Sequence, residues 1–313
     1  MKLRKLGTSD IEVAPLAFGG NVFGWTVNEQ DGFAILDRFV DKGFNLIDTA
    51  DVYSRWIPGN QGGESETIIG RWLKKSGNRN KVVIATKVGM EMGPDKKGLR
   101  KNYIMEAVDA SLKRLQIDCI DLYQSHQDDP ETPIEETLEA FDELIKAGKV
   151  RYIGASNFSK ERLEESFNIS KKFSLPRYIT LQPRYNLYDR DGYENELAQF
   201  CVENNVGVIT YFSLASGFLT GKYRGPEDLT KSSRGSGVKS YLDEKGLKLL
   251  DKLDAVSREY QATPAQVSLA WLMSRPGVVA PIASATSLTQ LDDILKASEL
   301  DLNSKTLDWL SEL

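Results

Sequence analysis

Short runs of β-branched and aromatic residues alternate with stretches of helical spacing along most of the 313-residue chain. The apolar runs predict strands over 16–19, 45–49, 82–87, 119–125, 152–156, 179–182, 207–211 and 278–283. Between them, apolar residues recur at the three-to-four spacing of amphipathic helices, for example over 64–73, 102–115, 134–145, 160–167 and 193–204. Pro133 stands at the expected start of one such helix and Gly148 just past its end. Eight strands, each followed by helical sequence, predict a parallel sheet with helical crossovers. Polar residues at the predicted strand ends fall at 48, 87, 126, 156, 182 and 211. That pitch is close to the ~31 residues per unit of a closed eight-fold barrel. The expectation is an α/β protein: one (β/α)8 TIM barrel domain spanning 1–313, without a linker-like break.

Two stretches fall outside the repeat. Residues 1–15 read as a β-hairpin around Gly7-Thr8-Ser9-Asp10, placed to plug the barrel bottom. Residues 222–239 are rich in Gly, Ser and Lys without a hydrophobic period, a long loop of the kind that carries function or moves.

Composition narrows the chemistry. Forty basic against forty-five acidic residues give a net charge of −5, which argues against a broad nucleic-acid surface. Two cysteines, Cys119 and Cys201, cannot build a disulfide scaffold or a four-thiolate zinc site, and the single histidine excludes any site needing two imidazoles. No metal site is expected. No apolar run reaches the ~20 residues of a membrane span, and Met1–Gly7 does not lead into a signal-like apolar segment. The cytoplasm is the expected location. The segment Gly217–Lys222 mimics a phosphate-binding P-loop, but it is one residue short and Tyr223 stands where Ser or Thr is needed.

In such barrels reactive groups gather at the C-terminal ends of the strands. Asp48 ends Asn45-Leu46-Ile47-Asp48, and Tyr53 follows in the next loop. Lys87 ends Val82-Val83-Ile84-Ala85-Thr86-Lys87, and His126 follows Asp121-Leu122-Tyr123-Gln124-Ser125. Singly, each has a structural reading: a cap, a solvated strand end, a packed imidazole, an exposed ring. Together, an acid, an ammonium, an imidazole and a phenol at adjacent strand tips make packing a poor explanation. Trp25 and Trp56 lie in loops after the first two strands, either as pocket walls or packed on each other. Arg55 is either an attractor for an anionic substrate or an exposed charge.

These residues and their flanking motifs resemble the aldo-keto reductases, in the bacterial branch related to potassium-channel β subunits. The resemblance runs through Arg4-Lys5-Leu6-Gly7, 45–53, Gly63-Glu64-Ser65-Glu66, Ala85-Thr86-Lys87, 118–126, 148–158, Leu181-Gln182, 211–222 and 281–293. It implies hydride transfer between NAD(P)H and an aldehyde, ketone or the corresponding alcohol. It also implies a catalytic tetrad of Asp48, Tyr53, Lys87 and His126, with Tyr53 as proton donor or acceptor, Lys87 favouring its phenolate, Asp48 fixing Lys87 and His126 orienting the carbonyl. By the same resemblance Ser156, Asn157 and Gln182 grip the nicotinamide carboxamide, Tyr211 stacks on its ring, and Asn21 and Val22 touch that half. Phe212, Ser213, Leu214, Ala215, Ser216 and Gly217 wrap the pyrophosphate, with Lys222 and Arg234 reaching phosphates. Ser284, Thr286, Gln290 and Asp293 meet the adenosine end, and Asp48 borders the cofactor.

Phe212-Ser213 replaces a common Ser-Pro of the family, which implies a different path for the phosphate loop. Residues 284–290 carry no cation for a 2′-phosphate, which leaves Arg234 and Lys222. NADPH is the expected cofactor, with NADH or dual use as the alternative. A nucleotide-binding regulatory subunit is the rival from another class. The expected partner is a small carbonyl or alcohol, with no nucleic acid or membrane.

Overall fold

The structure, a computed structural model, describes residues 1–312. The chain opens with an antiparallel hairpin, β1 (Arg4–Lys5) and β2 (Glu12–Val13), paired Arg4 to Val13. Eight parallel strands follow: β3 (Ala17–Gly19), β4 (Leu46–Asp48), β5 (Val83–Val88), β6 (Ile120–Ser125), β7 (Val150–Ser156), β8 (Thr180–Gln182), β9 (Gly207–Val208) and β10 (Ile282–Ala283). Their order is β10-β3-β4-β5-β6-β7-β8-β9. The ring closes where Val208 bridges Val278 and the Ile282 N–H donates to the Thr210 carbonyl at 2.8 Å. The eight-stranded barrel expected from the alternation is the observed architecture.

The helices, most of them between strands, are α1 (Glu29–Asp41), α2 (Glu64–Ser76), α3 (Lys101–Leu115), α4 (Ile134–Lys146), α5 (Lys160–Phe173), α6 (Asp191–Glu194), α7 (Leu197–Glu203), α8 (Glu244–Tyr260), α9 (Pro264–Met273), α10 (Leu288–Leu295) and α11 (Ser304–Ser311). Local chemistry sets their ends. Asn28, Ser159, Asp243, Ser287 and Asn303 each accept an N–H of the first turn they precede. Thr263 and Gln266 form a reciprocal capping box, with Pro264 as the first helical residue. Pro133 precedes α4, and Gly148, left-handed at φ +72°, follows it. The single helix expected over 193–204 is instead two, because Asn195-Glu196 interrupts the ladder and Glu196 leaves helical φ at −137°.

Residues 222–239 form a long loop without α-helix or strand, as expected, and within it two 3₁₀ turns, Pro226–Lys231 and Gly235–Tyr241, are anchored by buried Tyr223, Val238 and Tyr241. A three-residue repeat on apolar anchors carries no α-helical period, which is why periodicity missed it.

Inside the barrel, side chains stack in layers at every second strand residue. The lower layer is apolar: Ala17, Leu46, Ala85 and Leu122 pack with Leu6, Ile11 and Val13 of the hairpin, which plugs the bottom as expected. The plug fits because Gly7 and Gly207 meet backbone to backbone. A Cβ on Gly207 would lie 2.6 Å from the Gly7 nitrogen, and Gly7 itself is left-handed at φ +58°. Two residues further along β4, β5 and β6 come Asp48, Lys87 and Gln124, all buried. The barrel interior thus turns from apolar to ionic within one layer. Among the described residues, no helix is long and apolar enough to cross a membrane.

Candidate active site

Lys87 is completely buried, and its ammonium has three N–H bonds to place. They reach Asp48 Oδ2 at 2.6 Å, the Thr49 carbonyl at 2.8 Å and the Tyr53 hydroxyl oxygen at 3.2 Å. Burial alone would lower the Lys87 pKa, but the Asp48 charge and the Tyr53 oxygen more than offset it, so the group is held protonated. Tyr53 is pushed up by enclosure, with Lys87 pulling the other way. His126 sits with its ring 5.9 Å from that of Tyr53, edge to face. Burial first, and the Lys87 charge second, hold its pKa well below the ordinary imidazole value. It is therefore neutral at physiological pH, and Nδ1 has no partner among the described residues.

The loop that presents Tyr53 is tied down from several sides. Glu64, at the start of α2, accepts the N–H groups of Ser54, Gln61 and Gly62 at 2.8–3.2 Å. The Ser54 hydroxyl donates to the Phe23 carbonyl, and Asn60 donates to the carbonyls of Gly24 and Ser54. Sequence reading did not single out Glu64 for this role. Its signal is a carboxylate opening a helix directly after two glycines.

The polar network continues around the barrel mouth. Gln182 donates to Asp48 Oδ1 at 2.9 Å, and the Ser156 hydroxyl donates to the Gln182 carbonyl at 2.9 Å. Asn157 donates to the His126 carbonyl at 3.0 Å and accepts from the Tyr211 hydroxyl at 2.7 Å. Eight expected site residues, Asp48, Tyr53, Lys87, His126, Ser156, Asn157, Gln182 and Tyr211, are thus joined in one network of hydrogen bonds and ring contacts. Ser284 donates to Asn21 Oδ1 at 2.7 Å, joining the ends of β10 and β3.

The segment from Phe212 to Gly217 has an unusual backbone. Phe212, Ala215, Ser216 and Gly217 are all left-handed, and Leu214 just before Ala215 lies on the right-handed side. Its turns are tight: the Ala215 and Gly217 N–H groups donate back to the Phe212 and Leu214 carbonyls at 2.7 and 2.8 Å. The Ser213 hydroxyl is taken up internally by Thr210. Phe212 is exposed under the Arg184 guanidinium, and Lys222 extends over the Tyr223 ring. Arg234 lies 5.2 Å over the Trp25 ring, with a buried Nη2 that finds no acceptor among the described residues.

Other expected contacts are engaged elsewhere. The Val22 side chain is buried in the apolar core. Both Asp293 carboxylate oxygens already accept, from Thr263 and Gln266 at the start of α9. Gln290 accepts from the N–H and hydroxyl of Thr286. Trp25 and Trp56 pack edge to face at 5.9 Å, and Trp56 also meets Tyr53 at 5.6 Å, so the pair is both self-packed and beside the phenol. Arg55 is exposed and donates to the Glu91 carbonyl.

An ammonium, a carboxylate, a phenol and an imidazole thus stand together at the strand ends of an α/β barrel, where such folds carry their reactive groups. A profile of the Aldo/keto reductase family matches residues 15–313. The chain is similar to the uncharacterized oxidoreductase YrpG of Bacillus subtilis, 35% identical over all of this chain and 96% of that one. It is similar to a probable voltage-gated potassium channel subunit beta of Arabidopsis thaliana, 33% identical over 96% and 92%. It is also similar to the aldo-keto reductase yakc [NADP(+)] of Schizosaccharomyces pombe, 33% identical over 91% and 83%. The chain belongs to the aldo/keto reductase family, a family of oxidoreductases.

Proposed function

We propose that this protein reduces aldehydes or ketones to alcohols with NADPH, and runs the reverse oxidation, with Tyr53 as the proton donor or acceptor. The observation that carries the reading is the allocation of the Lys87 protons. The ammonium donates to the Tyr53 oxygen, so that oxygen already accepts a strong, charge-assisted hydrogen bond and its own O–H remains free for a substrate. The cofactor, when bound, supplies the hydride.

Negative charge then grows on the substrate oxygen, and Tyr53 delivers a proton to it while Lys87 stabilises the phenolate left behind. Asp48, carrying the compensating charge, keeps Lys87 ionised and aimed. His126, neutral, offers an N–H to the same oxygen as a positioning group. In the oxidative direction each proton moves back along the same path.

The residues present fit a dinucleotide phosphate. The tight loop Phe212–Gly217, left-handed at 212 and 215–217, is assigned to the pyrophosphate, and the buried Nη2 of Arg234, without an acceptor among the described residues, calls for an anionic partner, which a 2′-phosphate would be. Asn157, Ser156 and Gln182 supply donors and acceptors for the carboxamide, Tyr211 a ring face, and Asn21 and Ser284 polar groups at the β3–β10 edge. Lys222, Thr286 and Gln290 extend the same rim. The reading includes a cytoplasmic location.

The test is cofactor titration followed by turnover against a panel of carbonyls and alcohols with NADPH and NADH. Tight NADPH binding with carbonyl-dependent cofactor oxidation is expected. Tight binding without turnover of any substrate would favour a regulatory binding subunit instead.

A further inference from the structure

We propose that Gln124 is a positioning residue for the proton-transfer unit, clamping the Asp48 carboxylate so that Lys87 stays within reach of Tyr53. The inference rests on the reading of Tyr53 as proton donor. Gln124 lies on β6, two residues before His126 and on the inward face shared with Leu122. It is completely buried, in the layer of Asp48 and Lys87.

Its Nε2 donates to Asp48 Oδ1 at 3.3 Å, and its Oε1 accepts from Gln182 Nε2 at 3.4 Å. Gln182 donates to the same Asp48 oxygen at 2.9 Å. The carboxylate is thus divided: Oδ2 belongs to Lys87, and Oδ1 to a pair of amides that also bond each other. A carboxylate held by one oxygen alone can rotate about its Cβ–Cγ bond. Two amides on Oδ1 remove that freedom and fix where Oδ2, and with it the ammonium, must stand.

The neighbouring strand is shaped for this. Gly154 of β7 is paired with Gln124 in register. A Cβ there would press Gln124 Cγ at 3.1 Å and overlap the Thr180 hydroxyl, so the glycine leaves the room the amide occupies. A buried glutamine in an otherwise apolar or ionic barrel is costly unless both ends of its amide are used, and here both are.

Gln124→Met keeps length and removes donor and acceptor. With Gln182 alone left on Oδ1, and itself no longer braced by Gln124, the carboxylate and the ammonium it aims are held less firmly, so phenolate formation at Tyr53 becomes harder. The expected result is kcat lower by roughly ten-fold, with KM and NADPH Kd unchanged within about two-fold. The acid limb of the alcohol-oxidation pH profile should rise by about one unit.

A readout independent of turnover is the ultraviolet phenolate titration of the ligand-free protein, differenced against Tyr53→Phe. The Tyr53 component should appear at higher pH in Gln124→Met. Gln124→Asn, which keeps an amide one methylene too short, should behave alike and serves if the methionine variant does not fold.

An unchanged phenolate titration, or lower kcat without a displaced pH limb, overturns the clamp. If the wild-type protein turns over no carbonyl, the functional reading fails, and the phenolate titration alone then decides whether the clamp exists.

Discussion

Asp51, three residues beyond Asp48, is buried, and neither of its carboxylate oxygens has a hydrogen-bond partner among the described residues. Burial, reinforced by the nearby Glu66 charge, raises its pKa to about 8 against the opposing Arg114 and Lys87 charges. Glu66 takes the available partners: it accepts from Thr86 Oγ1 at 2.5 Å and from Arg114 Nε at 2.6 Å. One carboxylate of the pair takes the donors, and the other, Asp51, is left protonated.

The consequence for stability has a definite sign. The native protein keeps the Asp51 proton up to about pH 8, whereas an unfolded aspartate releases it near 3.8. Between those values the native state binds the extra proton, so stability is fully present at low pH and falls as pH rises. The slope approaches ~1.4 kcal/mol per pH unit, and the whole swing is on the order of 5 kcal/mol. Asp51→Asn has no proton to lose. The difference between wild type and Asp51→Asn in urea unfolding, followed by tryptophan fluorescence from pH 5 to 9, isolates this one group. The variant should be comparable at pH 5 and gain progressively towards pH 9, its midpoint finally higher by roughly 1 M urea or more. A difference that stays flat across that range would refute the reasoning.

Tyr53→Phe should lower kcat by about 10²- to 10⁴-fold with NADPH affinity nearly intact, measured by turnover and fluorescence titration; undiminished turnover removes Tyr53 from the proton path. Arg234→Ala should weaken NADPH at least ten-fold more than NADH, and equal losses would remove Arg234 from the 2′-phosphate. His126 is the sole histidine, so its ring signals are unambiguous in proton NMR, and they should show no inflection near pH 6.5 because burial and Lys87 keep it neutral. Glu64→Ala strips the acceptor from three N–H groups of the Tyr53 loop and should cost about 1–3 kcal/mol of stability together with a several-fold fall in kcat.

The parts of this molecule legible in the sequence are those where a side chain's chemistry and its strand period point the same way. Asp48, Lys87 and His126 end apolar runs, so alternation alone places them at the barrel mouth, and the spacing of those runs gives the eight-fold closure. Gln124 obeys the same alternation, two positions from both Leu122 and His126, yet it was passed over because an uncharged amide proclaims no chemistry by itself. Its role emerges only across strands, in the shared oxygen of Asp48 and the missing Cβ of Gly154. Asp51 shows the complementary limit. An aspartate in a loop after a strand reads as solvated, and only the packing around it, with Glu66 holding both nearby donors, turns it into a buried acid. Positions along one strand follow from local periodicity. Which of two neighbouring carboxyls keeps its charge follows from competition for donors on other elements, and a one-dimensional pattern does not contain that competition.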